Sequence, residues 1–247
     1  MTNYIVFGDV HGRMNWLSIV NKHWDEDVIF IFLGDYVSTH EYISGPEQMK
    51  VLDEVLSLKE KYPDRVILLR GNHDLQHLGY DWAQCSGLNI YVQREMSKPG
   101  VVERYIKDTQ WIHYDAEQHI CFSHAGLSET WMRNNSMTLD RLNDMPVDER
   151  FGFTPERYGD YYGESKTQPP TWIRPGTLSL DPYQAGELIQ VVGHTTYSNI
   201  RDTYDVLREP REQHPEMKWS HIWLCDCDLK ECLVIKDGEF HIEQMTQ

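Results

Sequence analysis

Basic residues are scarce in this chain, with 23 Lys and Arg against 39 Asp and Glu in 247 residues and a formal net charge of −16 at pH 7. A protein surface of that sign repels a phosphate backbone, so the composition argues against non-specific binding to nucleic acids. It does not exclude an anionic substrate at a local site, because bound divalent cations reverse the local electrostatic potential.

Cysteines and long apolar runs are scarce as well. The chain has five cysteines, an odd number that fits no disulfide framework and indicates a reducing compartment, so we expect a cytoplasmic protein. The longest apolar run, residues 28–33, is far shorter than the roughly 20 residues that cross a bilayer. No signal-peptide pattern precedes the first apolar run, and we expect no membrane association.

Short apolar, β-branched runs alternate with helical patterns in the first third of the chain. Strands are predicted at residues 3–7, 28–33 and 66–69, and helices at 14–22 and from Ser44 onward. In the second helix Pro46 suits the first turn, and apolar side chains recur on one face. This alternation is typical of an α/β layer.

The rest of the chain predicts further strands and a loop-rich cover. Residues 75–110 indicate mostly helix, and residues 128–186, rich in Pro, Gly, Asn and aromatics, indicate loops and short helices over the core. More strands are predicted at 111–115, 119–123 and 188–192, and a β-meander at 221–225, 232–236 and 239–243. We expect a single α/β (α+β) domain over residues 1–247, with two packed mixed β-sheets flanked by helices.

Five predicted strands end in a loop that places Asp, Asn or His beside glycine. These loops read GDVHG (8–12), GDY (34–36), GNHD (71–74), SHAG (123–126) and GHT (193–195). The carboxyl ends of strands in an open α/β sheet form the ligand crevice, so the loops should converge. Carboxylate, imidazole and amide groups suit manganese, iron or zinc, and a bridging carboxylate holds two cations about 3.5–4 Å apart.

A single Gly-His or Gly-Asp pair is commonplace, and a histidine after one strand is most often structural. Five such loops, each directly after an apolar run, favour a shared dinuclear metal site at the carboxyl ends of the strands. In order and content the five motifs closely resemble the calcineurin-like metallophosphoesterases. Within that family they resemble the PPP-type serine/threonine phosphatases and their bacterial and phage relatives.

The resemblance implies a set of metal ligands and a mechanism. One divalent cation would take Asp9 and His11, with Asp35 bridging to a second cation held also by Asn72, His124 and His194. The resemblance implies manganese first, with iron or zinc as alternatives, and a hydroxide between the two cations as the nucleophile.

The resemblance also implies roles for four further residues. His73 matches the histidine that protonates the leaving oxygen, and an imidazole suits that task near neutral pH. Phosphate binding normally uses arginine, for which Arg174 is the first candidate and Arg13 the second. Asp74 is a candidate to orient His73.

One block departs from the family pattern. Phosphatases of the PPP type continue GDYVDRG, whereas residues 34–40 of this chain read GDYVSTH. Ser38 stands where an aspartate orients the catalytic histidine, and Thr39 stands where an arginine grips phosphate. Asp74 or His40 would have to take over the orienting role.

These features predict a metallophosphoesterase that hydrolyses phosphate monoesters of phosphoserine or phosphothreonine, in a protein or a small ester. The altered GDYVSTH block leaves open a phosphodiesterase, or a hydrolase of nucleotides or diadenosine polyphosphates, on the same metal site. A binding scaffold without activity is a further alternative.

Cys225, Cys227 and Cys232 lack the spacing of a zinc finger and are predicted core residues. The sequence leaves the oligomeric state open.

Overall fold

The computed structural model describes residues 1–39, 41–152, 165–206, 212 and 219–245. In these ranges the strands are β1 (Tyr4–Phe7), β2 (Ile29–Phe32), β3 (Val66–Leu69), β4 (Thr109–Gln110), β5 (Ile112–Asp115), β6 (Ile120–Ser123), β7 (Ile189–Val192), β8 (Arg201–Asp202), β9 (Ile222–Leu224), β10 (Glu231–Lys236) and β11 (Glu239–Gln244). The α-helices are α1 (Trp16–Lys22), α2 (Gly45–Lys61), α3 (Asn72–His77), α4 (Ile90–Met96), α5 (Pro99–Asp108), α6 (Glu129–Asn134), α7 (Leu139–Leu142), α8 (Pro175–Leu180) and α9 (Thr203–Val206).

The described strands form two mixed sheets, as predicted. The larger sheet has the order β11-β10-β1-β2-β3-β4, and the smaller has the order β5-β6-β7-β9-β8. β1 to β4 run parallel in the larger sheet, and β6, β7 and β9 run parallel in the smaller one. Antiparallel strands complete both sheets at their edges. The carboxyl ends of the parallel strands therefore point to a common region.

The predicted β-meander at the end of the chain is wrong in one strand. β10 and β11 form the expected antiparallel hairpin in the larger sheet, but β9 lies in the smaller sheet, parallel to β7. Ile222 and Leu224 of β9 pack with Val192 and Leu178 against helix α8, on the outer face of the smaller sheet. Residues 225–230 then cross from the smaller sheet to the larger one, where β10 begins.

Apolar side chains fill both faces of the larger sheet. Val6, Ile31 and Leu69 face the smaller sheet and pack with residues such as Phe122 and Val191. The alternate side chains of the same strands pack against helices on the other face. Strands covered on both faces read as continuous apolar runs, which is why they could be recognised in the sequence. The structure confirms two packed mixed sheets flanked by helices.

The helices between β2 and β5 follow the prediction in part. Helix α2 begins after Ser44, whose side chain accepts a hydrogen bond from the backbone of Glu47 in a reciprocal capping box. The predicted helical stretch 75–110 is divided into α3, α4 and α5. Gly79 and Gly87 in the intervening segment have φ angles of 91° and 74°, which a helix does not accommodate.

Two further predictions concern the whole chain. The assignment of residues 1–247 to a single domain stays a prediction. The cover at about 128–186 contains α6, α7 and α8 in its described part, while residues 153–164 lie outside the described ranges. None of the helices within those ranges combines the length and the apolar character needed to span a bilayer.

Candidate metal centre

The loops after β1 and β2 lie side by side at the carboxyl edge of the larger sheet. The backbone N–H of His11 donates to the carbonyl of Asp35 at 2.7 Å, and that of Gly12 donates to Tyr36 at 2.9 Å. His11 and Asp35 have left-handed φ angles of 47° and 51°, and His194 has one of 66°. Such angles cost side-chain-bearing residues about 1–3 kcal/mol each and concentrate at functional sites.

Two aspartates tie these loops to the others. Asp9 Oδ1 accepts from the backbone N–H of His194 at 2.9 Å, and Asp35 Oδ1 accepts from that of His73 at 2.9 Å. The second oxygen of each carboxylate faces an imidazole. Asp9 Oδ2 lies 3.7 Å from His11 Nε2, and Asp35 Oδ2 lies 3.4 Å from His124 Nε2. Each aspartate thus fixes a loop with one oxygen and turns the other inward.

Glycines allow the loops to pass this close to the carboxylates. A Cβ atom at Gly71 would collide with Oδ1 of Asp35, and a Cβ atom at Gly193 would collide with Oδ1 of Asp9. The glycines of the GNHD and GHT motifs are therefore required by close approach of the backbone to the two acids.

Three imidazoles are oriented by backbone carbonyls. One ring nitrogen of His11, His124 and His194 lies within 3.2 Å of a carbonyl oxygen, in the pairs His11 Nδ1 with Val37, His124 Nδ1 with Leu33, and His194 Nε2 with Trp172. A carbonyl can only accept, so each of these nitrogens carries the proton. The other ring nitrogen is then left with a lone pair that faces the centre of the site, as in metal-binding histidines.

Asn72 completes the set of inward-facing atoms. Its Oδ1 lies 2.9 Å from His124 Nε2 and 3.0 Å from His194 Nδ1. Two groups of ligand atoms each lie within 4.8 Å of one another, one from Asp35, His124 and His194 and one from Asp9, His11 and Asp35. Lone pairs that converge in this way repel one another unless a cation lies among them. The residues present therefore fit a site for two metal ions, in which Asp35 belongs to both groups of ligand atoms.

Burial reinforces this requirement for positive charge. Asp9 and Asp35 are each 1% exposed, and burial, together with neighbouring carboxylates, raises the pKa of both. Burial lowers the pKa of His124 to about 3 and that of His194 well below its ordinary value, so both rings are neutral at pH 7. Divalent cations would supply the missing counter-charge.

His73 lies next to this centre. Its ring packs edge-on against His11, with the ring centroids 5.4 Å apart at an interplanar angle of 82°. Its Nδ1 atom lies 3.5 Å from the Sγ atom of Cys85, a residue that the sequence pattern did not single out. The predicted proton donor therefore lies beside the ligand group formed by Asp9, His11 and Asp35.

Asp74 links the GDY and GNHD loops, and its predicted role in orienting His73 stays a prediction. It is fully buried, and its carboxylate accepts from the backbone of Tyr36 at 2.8 Å, the backbone of Gly71 at 3.2 Å and the hydroxyl of Tyr105 at 3.0 Å. Burial raises the pKa of Asp74 to about 7. These contacts hold the GDY and GNHD loops together. His40, the other candidate to orient His73, lies outside the described residues.

The two candidate arginines approach the centre from different sides. Arg174 Nη1 donates to the carbonyl of His194 at 3.3 Å and to the hydroxyl of Thr195 at 3.0 Å. Arg13 Nη2 donates to Glu41 and to Asp228, at 3.0 Å each. The Nη1 atom of Arg13 is buried and has no hydrogen-bond partner among the described residues, so it could receive an anionic oxygen.

Asp226 belongs to the same region and was missed. It follows β9, is 1% exposed and contributes to the raised pKa of Asp9, after burial itself. Its Oδ2 accepts from the hydroxyl of Thr196 at 2.5 Å, and its backbone carbonyl accepts from Tyr197 at 2.9 Å. An aspartate directly after a predicted strand was the available signal, the same one that marked the five loops.

Comparison with known proteins agrees with this geometry. Residues 2–174 match a family model described as calcineurin-like phosphoesterase. A probable serine/threonine-protein phosphatase of Encephalitozoon cuniculi is 30% identical over 151 residues, which cover 59% of this chain and 31% of that protein. A protein phosphatase 2A catalytic subunit from Dictyostelium discoideum is 28% identical over 146 residues, 57% of this chain and 44% of that protein. The aligned part is thus less than half of either relative.

The fold is also found in solved structures. A cold-active protein-tyrosine phosphatase from a psychrophilic Shewanella species superposes with a TM-score of 0.63. The match is 17% identical and covers 100% of this chain and 81% of the other. An identity this low reports on the fold alone.

Proposed function

The chain belongs to the calcineurin-like phosphoesterase family, and from that premise we propose that it is a metal-dependent phosphomonoesterase acting on phosphoserine or phosphothreonine. The family and the phosphatases it resembles make it a hydrolase of phosphate esters. The observation that carries the proposal is the convergence of carboxylate, imidazole and amide lone pairs around Asp35.

In this proposal Asp9, His11 and Asp35 would hold one divalent cation, and Asp35, Asn72, His124 and His194 would hold a second. Bound there, the cations would lower the pKa of a water molecule and neutralise charge on the phosphoryl oxygens. The mixture of carboxylate, imidazole and amide ligands favours manganese, with iron or zinc as alternatives.

The protein's own residues bind the ester and move the proton. Arg174 is fixed by His194 and Thr195 at the edge of the ligand set, where a planar guanidinium can grip two phosphoryl oxygens. Arg13 offers a second, buried N–H group. His73, beside His11, holds the proton that the departing oxygen requires.

The preference for phosphoserine and phosphothreonine is supported by the names of the two curated relatives. We place the protein in the cytoplasm, because its five cysteines are all unpaired, as expected in a reducing compartment. Phosphotyrosine, phosphodiesters and diadenosine polyphosphates are the alternative ester classes that an assay has to separate.

A metal-reconstitution assay tests the proposal. The full chain is stripped with EDTA and dialysed, then supplied with manganese, iron, zinc or magnesium, and assayed on p-nitrophenyl phosphate, its bis-ester, phosphoserine, phosphothreonine and phosphotyrosine peptides, and diadenosine tetraphosphate. We expect no turnover without metal, and with manganese a higher kcat/KM for phosphoserine and phosphothreonine peptides than for the bis-ester. Faster hydrolysis of the bis-ester or the dinucleotide would replace the monoester assignment. Turnover that survives metal removal would contradict the proposal of a metal-dependent enzyme.

A further inference from the structure

A thiol lies against the imidazole that the proposed function uses as proton donor. The Sγ atom of Cys85 is 3.5 Å from His73 Nδ1, and it is 3.9 Å from the carbonyl oxygen of Asn72, to which the thiol can donate. A neutral thiol that donates its proton to that carbonyl presents sulfur lone pairs to the imidazole. The Nδ1–H group of His73 can then donate to sulfur.

Residues 85–87, the segment that carries this thiol, form hydrogen bonds to helix α3 and to the loop after β2. Gln76 Oε1 accepts from the backbone N–H of Cys85 at 2.6 Å, and Gln76 Nε2 donates to the carbonyl of Ser86 at 3.3 Å. Ser38, in the loop after β2, donates its hydroxyl to the carbonyl of Gly87 at 2.9 Å. Its own backbone N–H is held by Gln48 at 2.8 Å.

His77 adds a direct link between this segment and His73. Its Nδ1 atom donates to the backbone carbonyl of His73 at 2.7 Å, and its Nε2 atom accepts from the backbone N–H of Asn89 at 3.0 Å. A ring that donates through Nδ1 must accept through Nε2, so the two contacts are mutually consistent. Helix α3 and the loop after β2 therefore fix where Cys85 stands relative to His73.

We propose that Cys85 is a positioning residue that holds the His73 ring with Nδ1–H toward sulfur, so that Nε2 faces the leaving group and carries the proton of the acid form; this inference rests on the proposed function. With Nδ1–H bonded to sulfur, Nε2 is the ring nitrogen that exchanges a proton with the substrate. Ser38 takes part by holding the segment that carries the thiol.

The reaction consumes no thiol. In its acid form His73 is an imidazolium with a proton on each ring nitrogen. The bond from phosphorus to the ester oxygen breaks, a bond from phosphorus to a water oxygen forms, and the Nε2 proton of the imidazolium passes to the departing oxygen, which leaves the neutral Nδ1–H tautomer. The attacking water loses the proton that restores His73, so an ester and water give an alcohol and phosphate. Cys85 is neither oxidised nor deprotonated in this cycle.

Leaving-group dependence separates positioning of the acid from general damage. The p-nitrophenolate ion departs without much help, whereas phenolate and the serine alkoxide need the proton. We measure kcat/KM for p-nitrophenyl phosphate, phenyl phosphate and a phosphoserine peptide with the native manganese enzyme, Cys85→Ala and Cys85→Ser. The matched control is Cys232→Ala, which removes a buried thiol from β10.

In Cys85→Ala we expect the ratio of kcat/KM for p-nitrophenyl phosphate to that for phenyl phosphate to rise about tenfold, because the acid acts less effectively. Cys85→Ser retains a polar hydrogen-bonding group, so its ratio should lie between the native and alanine values. Cys232→Ala should keep the native ratio. An equal loss on all three esters in Cys85→Ala overturns the positioning role. A native enzyme that hydrolyses none of them overturns the proposed function instead.

A second measurement avoids turnover altogether. The metal-free protein, with ¹⁵N-labelled histidine and the His73 signal identified by its loss in His73→Gln, reports the imidazole tautomer by NMR. We expect His73 to be protonated at Nδ1 in the native protein and to become a mixture of tautomers in Cys85→Ala. Protonation of native His73 at Nε2 alone overturns the inference, and circular dichroism confirms that the variants are folded.

Discussion

The two ends of the same sheets both bury an acidic group but treat it in opposite ways. At the amino end of β1, Asp115 Oδ2 accepts from the hydroxyl of Tyr4 and from the Gln118 side chain, at 2.8 Å each, while Oδ1 accepts from the backbone of Glu117 and Gln118. Burial acts to raise the pKa of Asp115, but these hydrogen bonds outweigh it and the pKa lies below its ordinary value. The acid there is satisfied by the protein itself.

At the carboxyl end, the described residues supply no equivalent set of donors to the inward-facing oxygens of the acids. Asp9 accepts from the backbone of His194 and Asp35 from that of His73, each turns its other oxygen toward an imidazole, and burial raises the pKa of both. A buried carboxylate with a full set of donors is a structural element, whereas one that faces further lone pairs is suited to bind a cation. The acids at the carboxyl end are buried more deeply, at 1% exposed against 9% for Asp115, and they receive fewer hydrogen bonds.

The largest difference is expected from removing one charge at each end. Asp35→Asn should lower kcat/KM by on the order of a thousandfold, because it removes the carboxylate shared by the two halves of the ligand set. Asp115→Asn, the same change at the amino end, should preserve the metal-dependent activity. Steady-state kinetics and metal content by plasma mass spectrometry check both variants. Equal activities in Asp35→Asn and Asp115→Asn would show that the acids at the two ends do not differ in function.

A smaller effect is expected when a histidine is changed at each end. His73→Gln should lower kcat on a phosphoserine peptide by about a hundredfold, the usual scale of general acid catalysis. His113→Gln, next to Tyr4 at the amino end, should leave kcat at the native value because His113 contacts Tyr4 at 3.4 Å and not the ligand set. Steady-state kinetics on the phosphoserine peptide, which has a poor leaving group, provide the measurement. A native kcat in His73→Gln would contradict the assignment of His73 as the general acid.

The pH dependence of stability should also differ between the metal-free and metal-bound protein. The pKa values of Asp9, Asp35 and Asp74 are raised by folding, to about 7 for Asp74, so the folded metal-free protein binds more protons than the unfolded chain. Stability is therefore lost as the pH rises through these folded values. The buried histidines, with lowered pKa values, act in the opposite direction while unfolded histidine titrates around pH 6.5, and their effect fades over about one pH unit above it.

The measurement is the Tm of EDTA-treated protein between about pH 7 and 8, where most histidine in the unfolded chain is already neutral. We expect Tm to fall with pH across this window and saturating manganese to abolish the fall. A metal-free Tm that is constant or rises over the same range would mean that the acids at the carboxyl end already have internal partners.

The smallest effect is expected at the amino end. Tyr4→Phe removes one donor to Asp115 and should lower the free energy of unfolding by about 1 kcal/mol, while kcat stays at its native value. Urea denaturation followed by fluorescence gives the first quantity, and turnover of p-nitrophenyl phosphate gives the second. A loss of activity larger than the loss of folded protein would show that the two ends are not independent.

The strands that the sequence predicted correctly have local causes. Except for the two-residue β4, each described parallel strand is a short apolar run, and the polar site residue follows within three positions of its carboxyl end, so direction and position can both be read from the chain. The glycines mark the same places because the loops pass close to the carboxylates of Asp9 and Asp35. All six predicted ligands consequently meet in one region of the structure.

The features that were missed depend on distant partners. β9 had the pattern of a hairpin strand, but its sheet was decided by packing against α8. Asp226 was overlooked for the same reason, since its position beside Asp9 follows from that strand's placement. The position of Cys85 depends on Gln76, Ser38 and His77, whose spacing in the sequence carries no recognisable pattern.

The left-handed backbone at His11, Asp35 and His194 has a consequence for directed evolution. Glycine adopts those angles without strain, so a library screened only for heat resistance in the presence of a chelator should accumulate glycine at these three positions. Such variants would have a higher Tm and no phosphoesterase activity. Selection for heat resistance should therefore always be coupled to a readout of catalysis, or it will select the removal of the active centre.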